Sequence, residues 1–531
     1  MKTKMFKVSR YIQCLILFFT IAALASLLQS CNRGPKYNLS ILASEELKVM
    51  EPFLKEMEEK TKVSISLRYA DMREVAERVA RGEQVDAIWL PSDAYLKLVP
   101  EAKSRAWSTT STMLSPLILG VRRSKASSWG LSSNVSITWL DLANKAASGD
   151  FKFAMPNPAS SFAGLGTALA VNAALGADSG KKKNNTVAQQ ILPNFFAGLS
   201  LTSGDYVWLT DAYISSPNKF DGIFTYESEI MRINNSLPEA ERLMPIAPVD
   251  GVFFADYPIS LLNSNKEREY RYILDYLRSE DVQSAISNST FNRPVNRQAT
   301  SQSAFISITN TINPFPRKMR QLESFVDAYL TQYKPSSHIV FLLDMSRSMS
   351  GERFTQVKNS LLALTEKNDK NGNPLWSLHK GERISFIPYN EEVWESKTYK
   401  VNDGSNLSLE LTEIPKYLNT LNPNGATAMY DALSEAYLRI GRWMVDDASI
   451  QNYSVVVFCD GPSTRGKSLA EWESFVASLP REVGKVKTFV IFFGEADPAQ
   501  MKRIAAVTGG RAFQADASSL ASVVKLVRSY M

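Results

Sequence analysis

Residues 338–350 read HIVFLLDMSRSMS, five apolar residues in a row stopped by an aspartate and alternating serines. A run that is continuously apolar, and too short for a core helix, reads as a strand buried on both faces, as in a parallel sheet covered by helices. That dictates a layered α/β fold for this region. Asp344, Ser346 and Ser348 then fall just past the C-terminal end of the strand, the edge where open α/β sheets bind ligands. One carboxylate and two hydroxyls on a tight loop are hard oxygen donors, suited to Mg²⁺ or Mn²⁺ and not to Zn²⁺. Alone, the Asp-x-Ser-x-Ser pattern is equally well a helix cap leading into Glu352–Glu366.

Two later segments add to it. Asn422–Leu433, NPNGATAMYDAL, is a Pro/Asn/Gly turn, then Thr427, then an amphipathic helix; Ser454–Gly461, SVVVFCDG, is a second buried strand that ends at Asp460. In this order, DMSRS, GATAMYDAL and VVVFCDG resemble the three metal-site loops of a von Willebrand factor type A (VWA) domain, over about 338–531. The resemblance implies a doubly wound, Rossmann-like fold and a metal-ion-dependent adhesion site (MIDAS) made by Asp344, Ser346, Ser348, Thr427 and Asp460. It implies Mg²⁺ or Mn²⁺ as the ion and a protein partner that supplies a carboxylate to it. Cys459 and Pro462 depart from the usual pattern without removing a ligand.

The N-terminus speaks to location. Lys2, Lys4, Lys7 and Arg10 precede the mostly apolar run Tyr11–Leu28, which leads into Leu28-Gln29-Ser30-Cys31. A basic start, an apolar stretch and small residues before a cut describe a secretory signal. With cysteine at the cut it resembles a bacterial lipoprotein signal over residues 1–31, which implies a lipid on Cys31 and a chain held at the extracytoplasmic face of a cell membrane. An uncleaved membrane anchor is the alternative reading. Removing the segment takes four of the 60 basic residues and none of the 54 acidic ones, so the formal charge falls from +6 to +2 and gives no case for nucleic acid. The chain's two histidines, His338 and His379, support neither a His-based metal centre nor a Ser-His-Asp triad, and a non-enzymatic protein is expected.

From Lys36 the pattern alternates. Tyr37–Leu42, Val63–Tyr69 and Val85–Leu90 read as strands, separated by helices at Glu45–Lys60 and after Asp71, where Glu74 completes a capping pattern. This βαβαβ order predicts a parallel sheet with its binding edge at Ser44 and Ser92. A second such unit runs Leu117–Val121, Trp139–Ala147 and Phe151–Met155 into PNPASSFAGLGTALA, where Asn157, Ser160 and Ser161 open a helix whose free N–H groups suit an anion. The same serines are ordinary helix caps on a plainer reading. Lys181–Asn185, KKKNN, reads as a solvated loop.

LASEELKVMEPFLKEM, VDAIWLPSDAYL, MPNPASSFAGLGTALA and GIFTYESEIM together resemble an extracellular solute-binding protein, of the molybdate-type group, over about 36–334. That implies a two-lobe, periplasmic-binding-protein-like domain at 32–333. Lobe 1 is placed at about 36–116 and 250–333, lobe 2 at about 117–249, and the crossings near Ser115–Leu119 and Asp250–Phe254. Ser44, Ser92, Asn157, Ser160, Ser161 and Tyr226 are the expected ligand-binding residues for a small-molecule or oxyanion solute. The amphipathic helix Arg317–Tyr333 is expected to pack on lobe 1, and 334–337 to be a short linker. An alternative function is the solute-capture component of an ABC importer, with a permease as partner and the C-terminal domain only docking or regulating. A third is a nucleotide hydrolase, because Gly461–Ser468, GPSTRGKS, fits a phosphate-binding loop after a strand. Against it, the following strand ends in Gly494-Glu495, with no Walker-B aspartate.

Overall fold

The computed structural model describes residues 37–131, 136–177, 185–301, 304–365, 378–401, 407–447, 450, 452–516 and 518–530. Cys31 and the signal segment lie outside the described residues, as do 181–184 of the expected solvated loop. Among the described residues the fold is α/β throughout and separates into two compact units, the first within 37–114, 256–290 and 294–301, the second within 115–255, 291–293 and 304–530.

In the first unit, strands β1 (Tyr37–Ala43), β2 (Val63–Tyr69) and β3 (Ala87–Trp89) pair in parallel in the order β2-β1-β3. The strand Pro258–Leu261 runs antiparallel between β3 and β4 (Ser108–Ser111), and β4 forms that edge of the sheet. The helix after β2 starts where Asp71 accepts the Glu74 N–H at 2.8 Å.

The second unit opens with β5 (Met113–Arg122), whose first residues belong to the other unit. It pairs antiparallel with β8 (Gly222–Tyr226), and β6 (Phe153–Pro156) lies parallel to β8 and to β7 (Leu199–Ser203). Ser115 and Pro116 pair with Ala255 and Phe254, so the two chain crossings into this unit lie side by side. Helix α1 (Phe162–Ala177) covers this sheet with a run of small residues.

Two boundary expectations are corrected here. Helix α2 (Met319–Ala328) and the wide turn Tyr329–Tyr333 belong to the second unit, not to lobe 1. Tyr329, Leu330 and Tyr333 are buried with Trp139, Phe195 and Phe196, and the Tyr329 ring lies 5.0 Å from that of Phe196. An amphipathic stripe specifies that a helix must be covered; here the aromatic surface around Phe196 covers it. Nor is 334–337 a free linker. Lys334 is buried beside Glu382 at 3.5 Å, and Ser337 already begins the next strand.

That strand, β9 (Ser337–Asp344), is central to a six-stranded sheet. Parallel neighbours are β10 (Arg383–Tyr389) and β12 (Asn452–Cys459); β13 (Lys487–Phe492) and β14 (Ala512–Gln514) follow β12 in parallel, and β11 (Lys397–Lys400) is an antiparallel edge on β10. The unbroken apolar run now has its reason. Ile339, Phe341 and Leu343 enter a core with α3 (Glu352–Leu362) and the last helix, while Val340 and Leu342 face α4 (Met429–Asp446). At one sheet end His338 hydrogen-bonds Ser385 at 2.8 Å and stacks on Trp443; burial pushes its imidazole down to about 3, so it is neutral.

The last helix, α6 (Leu520–Arg528), ties this sheet to β6 and β7. Arg528 pairs with Glu382 at 2.8 Å, and the Ser529 carbonyl accepts from Asn157 Nδ2 at 2.9 Å. The Tyr530 ring meets Trp208 edge-on at 4.8 Å, while Arg511 pairs with Asp205.

Candidate functional site

The residues singled out after β9 converge at the C-terminal edge of the sheet. Asp344 closes β9, and its Oδ1 accepts the Ser346 N–H at 2.8 Å, which folds the loop back over the strand end. That places the Ser346 and Ser348 hydroxyls 3.0 Å apart, and Ser348 Oγ donates to Asp460 Oδ1, just past β12, at 2.9 Å. Asp344, Ser346 and Asp460 are each almost wholly buried. The Asp344 carboxyl is pushed up to about 7 by burial, with Asp460 adding to the rise and the Ser346 hydrogen bonds opposing it. Its Oδ2 is buried with no hydrogen-bond partner among the described residues.

Thr427 arrives on a third loop, before α4. Asn424 N–H donates to the Met345 carbonyl at 2.6 Å and Arg347 N–H to the Gly425 carbonyl at 3.0 Å, so the 423–427 loop is bonded to the 345–350 loop. Gly425 has φ +102°, and a Cβ there would strike Glu391, so only glycine fits this turn. The Thr427 N–H takes Thr464 Oγ1 at 3.0 Å as acceptor, and its carbonyl accepts the Thr464 and Arg465 N–H groups at 2.8 and 3.0 Å. Thr427 is thus held against the loop after Asp460.

Sequence reasoning missed three participants. Glu391 Oε2, just beyond β10, accepts the Ala426 N–H at 2.8 Å, and Asn390 Nδ2 donates to the Asn424 carbonyl at 3.0 Å. Both follow a strand at the binding edge, and the rule that flagged Asp344 and Asp460 would have flagged them. Arg353, on the first turn of α3, donates to Asp460 Oδ2 at 2.6 Å; a basic residue near a helix start carried no signal.

The rival phosphate-loop motif is used otherwise. The Thr464 and Arg465 N–H groups that would cradle phosphate are spent on Thr427, Lys467 pairs with Asp431 at 2.5 Å, and Ser468 caps α5 (Leu469–Ser478) in a capping box with Glu471.

For the solute residues, Ser44 follows β1 and Ser92 follows β3; these strands pair Ala43 with Trp89, so the two serines share one sheet edge. Ser92 Oγ accepts the Ala94 N–H at 3.2 Å as a local cap. In the second unit Asn157 follows β6. Its carbonyl takes the Ser160 and Ser161 N–H groups at 3.1 and 2.8 Å, which spends two donors of the α1 start inside the turn. Its side-chain amide is committed to Ser529. Beside it, a Cβ on Gly204 would lie 2.6 Å from Ser160 Oγ and 2.8 Å from Ser529 Oγ, so this corner is filled by the chain's own C-terminal residues. Tyr226 closes β8 as a fully buried side chain.

Residues 39–292 match the family model for a bacterial extracellular solute-binding protein, and residues 338–526 match that for the von Willebrand factor type A domain. The chain joins an extracellular solute-binding domain to a VWA domain. It therefore works outside the cytoplasm, and among the described residues no helix is long and apolar enough to cross a membrane. No curated protein matches the sequence. Among solved structures, an ABC transporter from Clostridium perfringens ATCC 13124 is 16% identical, covering 55% of this chain and 97% of its own, with a TM-score of 0.41. The ferric binding protein from Campylobacter jejuni is 15% identical over 55% of this chain and 98% of its own, with a TM-score of 0.43. The sulfate-binding protein SubI from Mycobacterium tuberculosis H37Rv is 15% identical over 49% of this chain and 88% of its own, with a TM-score of 0.38.

Proposed function

We propose that the protein is a membrane-tethered extracytoplasmic binding protein, anchored by a lipid on Cys31, whose VWA domain captures a protein partner through a divalent ion. The observation that carries this is Asp344 Oδ2, a buried carboxylate oxygen with no hydrogen-bond partner among the described residues, beside two hydroxyls and a second carboxylate. A buried charge is retained where a counter-charge meets it. Asp344, Ser346, Ser348, Thr427 and Asp460 offer only oxygen donors, which fits Mg²⁺ or Mn²⁺. Bound there, the ion supplies an open coordination position for a partner's carboxylate. The chain's own part is to hold the five donors: Ser346 N–H fixes Asp344, Asp460 fixes Ser348, and the 464–465 loop fixes Thr427. No bond is made or broken.

The solute-binding domain takes a small solute, with an oxyanion as the class that the Ser44 and Ser92 hydroxyls at one sheet edge favour. A second reading, solute capture for an ABC permease with the VWA domain only docked, draws support from the contacts of Trp208, Asp205 and Asn157 with Tyr530, Arg511 and Ser529.

Titration of Mg²⁺ into residues 36–531 by calorimetry tests the leading reading. Saturable binding that Asp344→Ala abolishes is expected; unchanged affinity in the variant would refute it.

A further inference from the structure

The two buried aspartates of the metal site are not equivalent. Asp344 Oδ2 has no hydrogen-bond partner among the described residues, whereas Asp460 uses both oxygens, Oδ1 on Ser348 at 2.9 Å and Oδ2 on the Arg353 guanidinium at 2.6 Å. Asp460 is only 1% exposed, while the Arg353 side chain is 40% exposed and attached to the first turn of a surface helix. The cation of this pair thus has a route to water that the anion lacks. Gly351, with φ +81°, starts that helix, and Gly494, with φ +64°, leaves room where a Cβ would lie 3.4 Å from the guanidinium.

We infer that Arg353 is a built-in counter-ion for the metal site, which holds Asp460 when no divalent ion is present and is displaced into solvent when one binds. The inference rests on the metal reading above and names how that site is controlled. A divalent ion beside Ser348 and Asp460 and a guanidinium on the other oxygen of the same carboxylate are like charges in a poorly solvated place, and they oppose each other. The exposed, flexible member gives way. Ion affinity is then set partly by a side chain that ligates nothing. The competition also keeps the site from being an uncompensated pair of buried carboxylates before the ion arrives. Arg353 is a positioning residue for Asp460.

The test is Mg²⁺ calorimetry on residues 36–531, comparing the native sequence with Arg353→Gln, Arg353→Met and Arg353→Lys, and melting curves of each with and without Mg²⁺. The neutral variants should bind Mg²⁺ about tenfold tighter or more, and gain more in melting midpoint on adding Mg²⁺, because no cation has to leave. Arg353→Lys keeps the charge and should stay within about threefold of the native affinity. Equal or weaker Mg²⁺ binding by both neutral variants overturns the inference and leaves the metal site standing. Tight binding by the lysine variant also overturns it, since shape rather than charge would then be responsible. Absence of Mg²⁺ binding in every protein overturns the metal reading itself.

Discussion

Glu382 is where removal of a single side chain should cost most. Its buried carboxylate meets Arg528 at 2.8 and 3.1 Å and Lys334 at 3.5 Å, and accepts the His379 N–H at 2.9 Å and the Ser337 hydroxyl at 3.2 Å. Burial alone would raise its pKa, but Arg528 and Lys334 hold it well below the usual carboxylate range. Glu382→Gln leaves two buried cations without their anion, a change that costs about 3–5 kcal/mol when one partner of a buried ion pair is lost. For a domain of this size the melting midpoint should fall by about 6–20 °C. The pH dependence has a definite sign. A carboxyl whose folded pKa is depressed stabilises above its unfolded value of about 4.3, and loses that contribution as pH falls through the folded pKa. The gap between the native protein and Glu382→Gln should be constant near neutrality and shrink below about pH 4. Scanning calorimetry across pH measures both. A loss under about 1 kcal/mol would show that Arg528 and Lys334 find water in the variant, and would refute the argument from uncompensated burial.

Three further outcomes follow from the same geometry. Asp344→Asn removes a buried charge with an unpartnered oxygen, so in a chelator its melting midpoint should rise, by about 1–2 kcal/mol of stability; a fall on scanning calorimetry would contradict this. Trp208→Ala deletes the ring that Tyr530 packs against, and hydrogen exchange at the Ser529 and Tyr530 amides should speed up about tenfold or more; unchanged exchange would show that the contact does not hold the C-terminus. Lys467→Ala breaks a partly exposed pair with Asp431 and should cost under about 1 kcal/mol, with no ATP binding before or after; phosphate release from ATP that depends on Lys467 would revive the nucleotide reading.

Much of the VWA domain was legible because its signals are local. The apolar run 339–343 shows burial on both faces, and the residue that ends it lies at the binding edge by construction of a parallel sheet. Asp344 and Asp460 were found by the same rule. Other features were hidden because they depend on pairings between distant polar residues. Nothing in the sequence joins Lys334, Glu382 and Arg528, and none carries periodicity. The stripe of α2 declared a buried face without naming its cover, which proved to be the Phe196 surface rather than lobe 1. Asn157 read as a donor for a ligand because its turn precedes a helix of small residues; that Ser529 takes its amide is visible only once the last helix is in place. Arg353 is the sharpest case, a surface-type residue whose guanidinium hydrogen-bonds the buried Asp460.

Diffraction from crystals of residues 36–531 soaked in Mn²⁺ tests the central claim most directly, since the anomalous signal locates the ion without assumption. A single strong peak about 2.1 Å from the Ser346 and Ser348 hydroxyls, with Asp344 and Asp460 around it and Arg353 turned away, is the predicted result. No peak at that loop, or Mn²⁺ bound only elsewhere on the surface, would contradict the assignment of Asp344, Ser346, Ser348, Thr427 and Asp460 as a metal site.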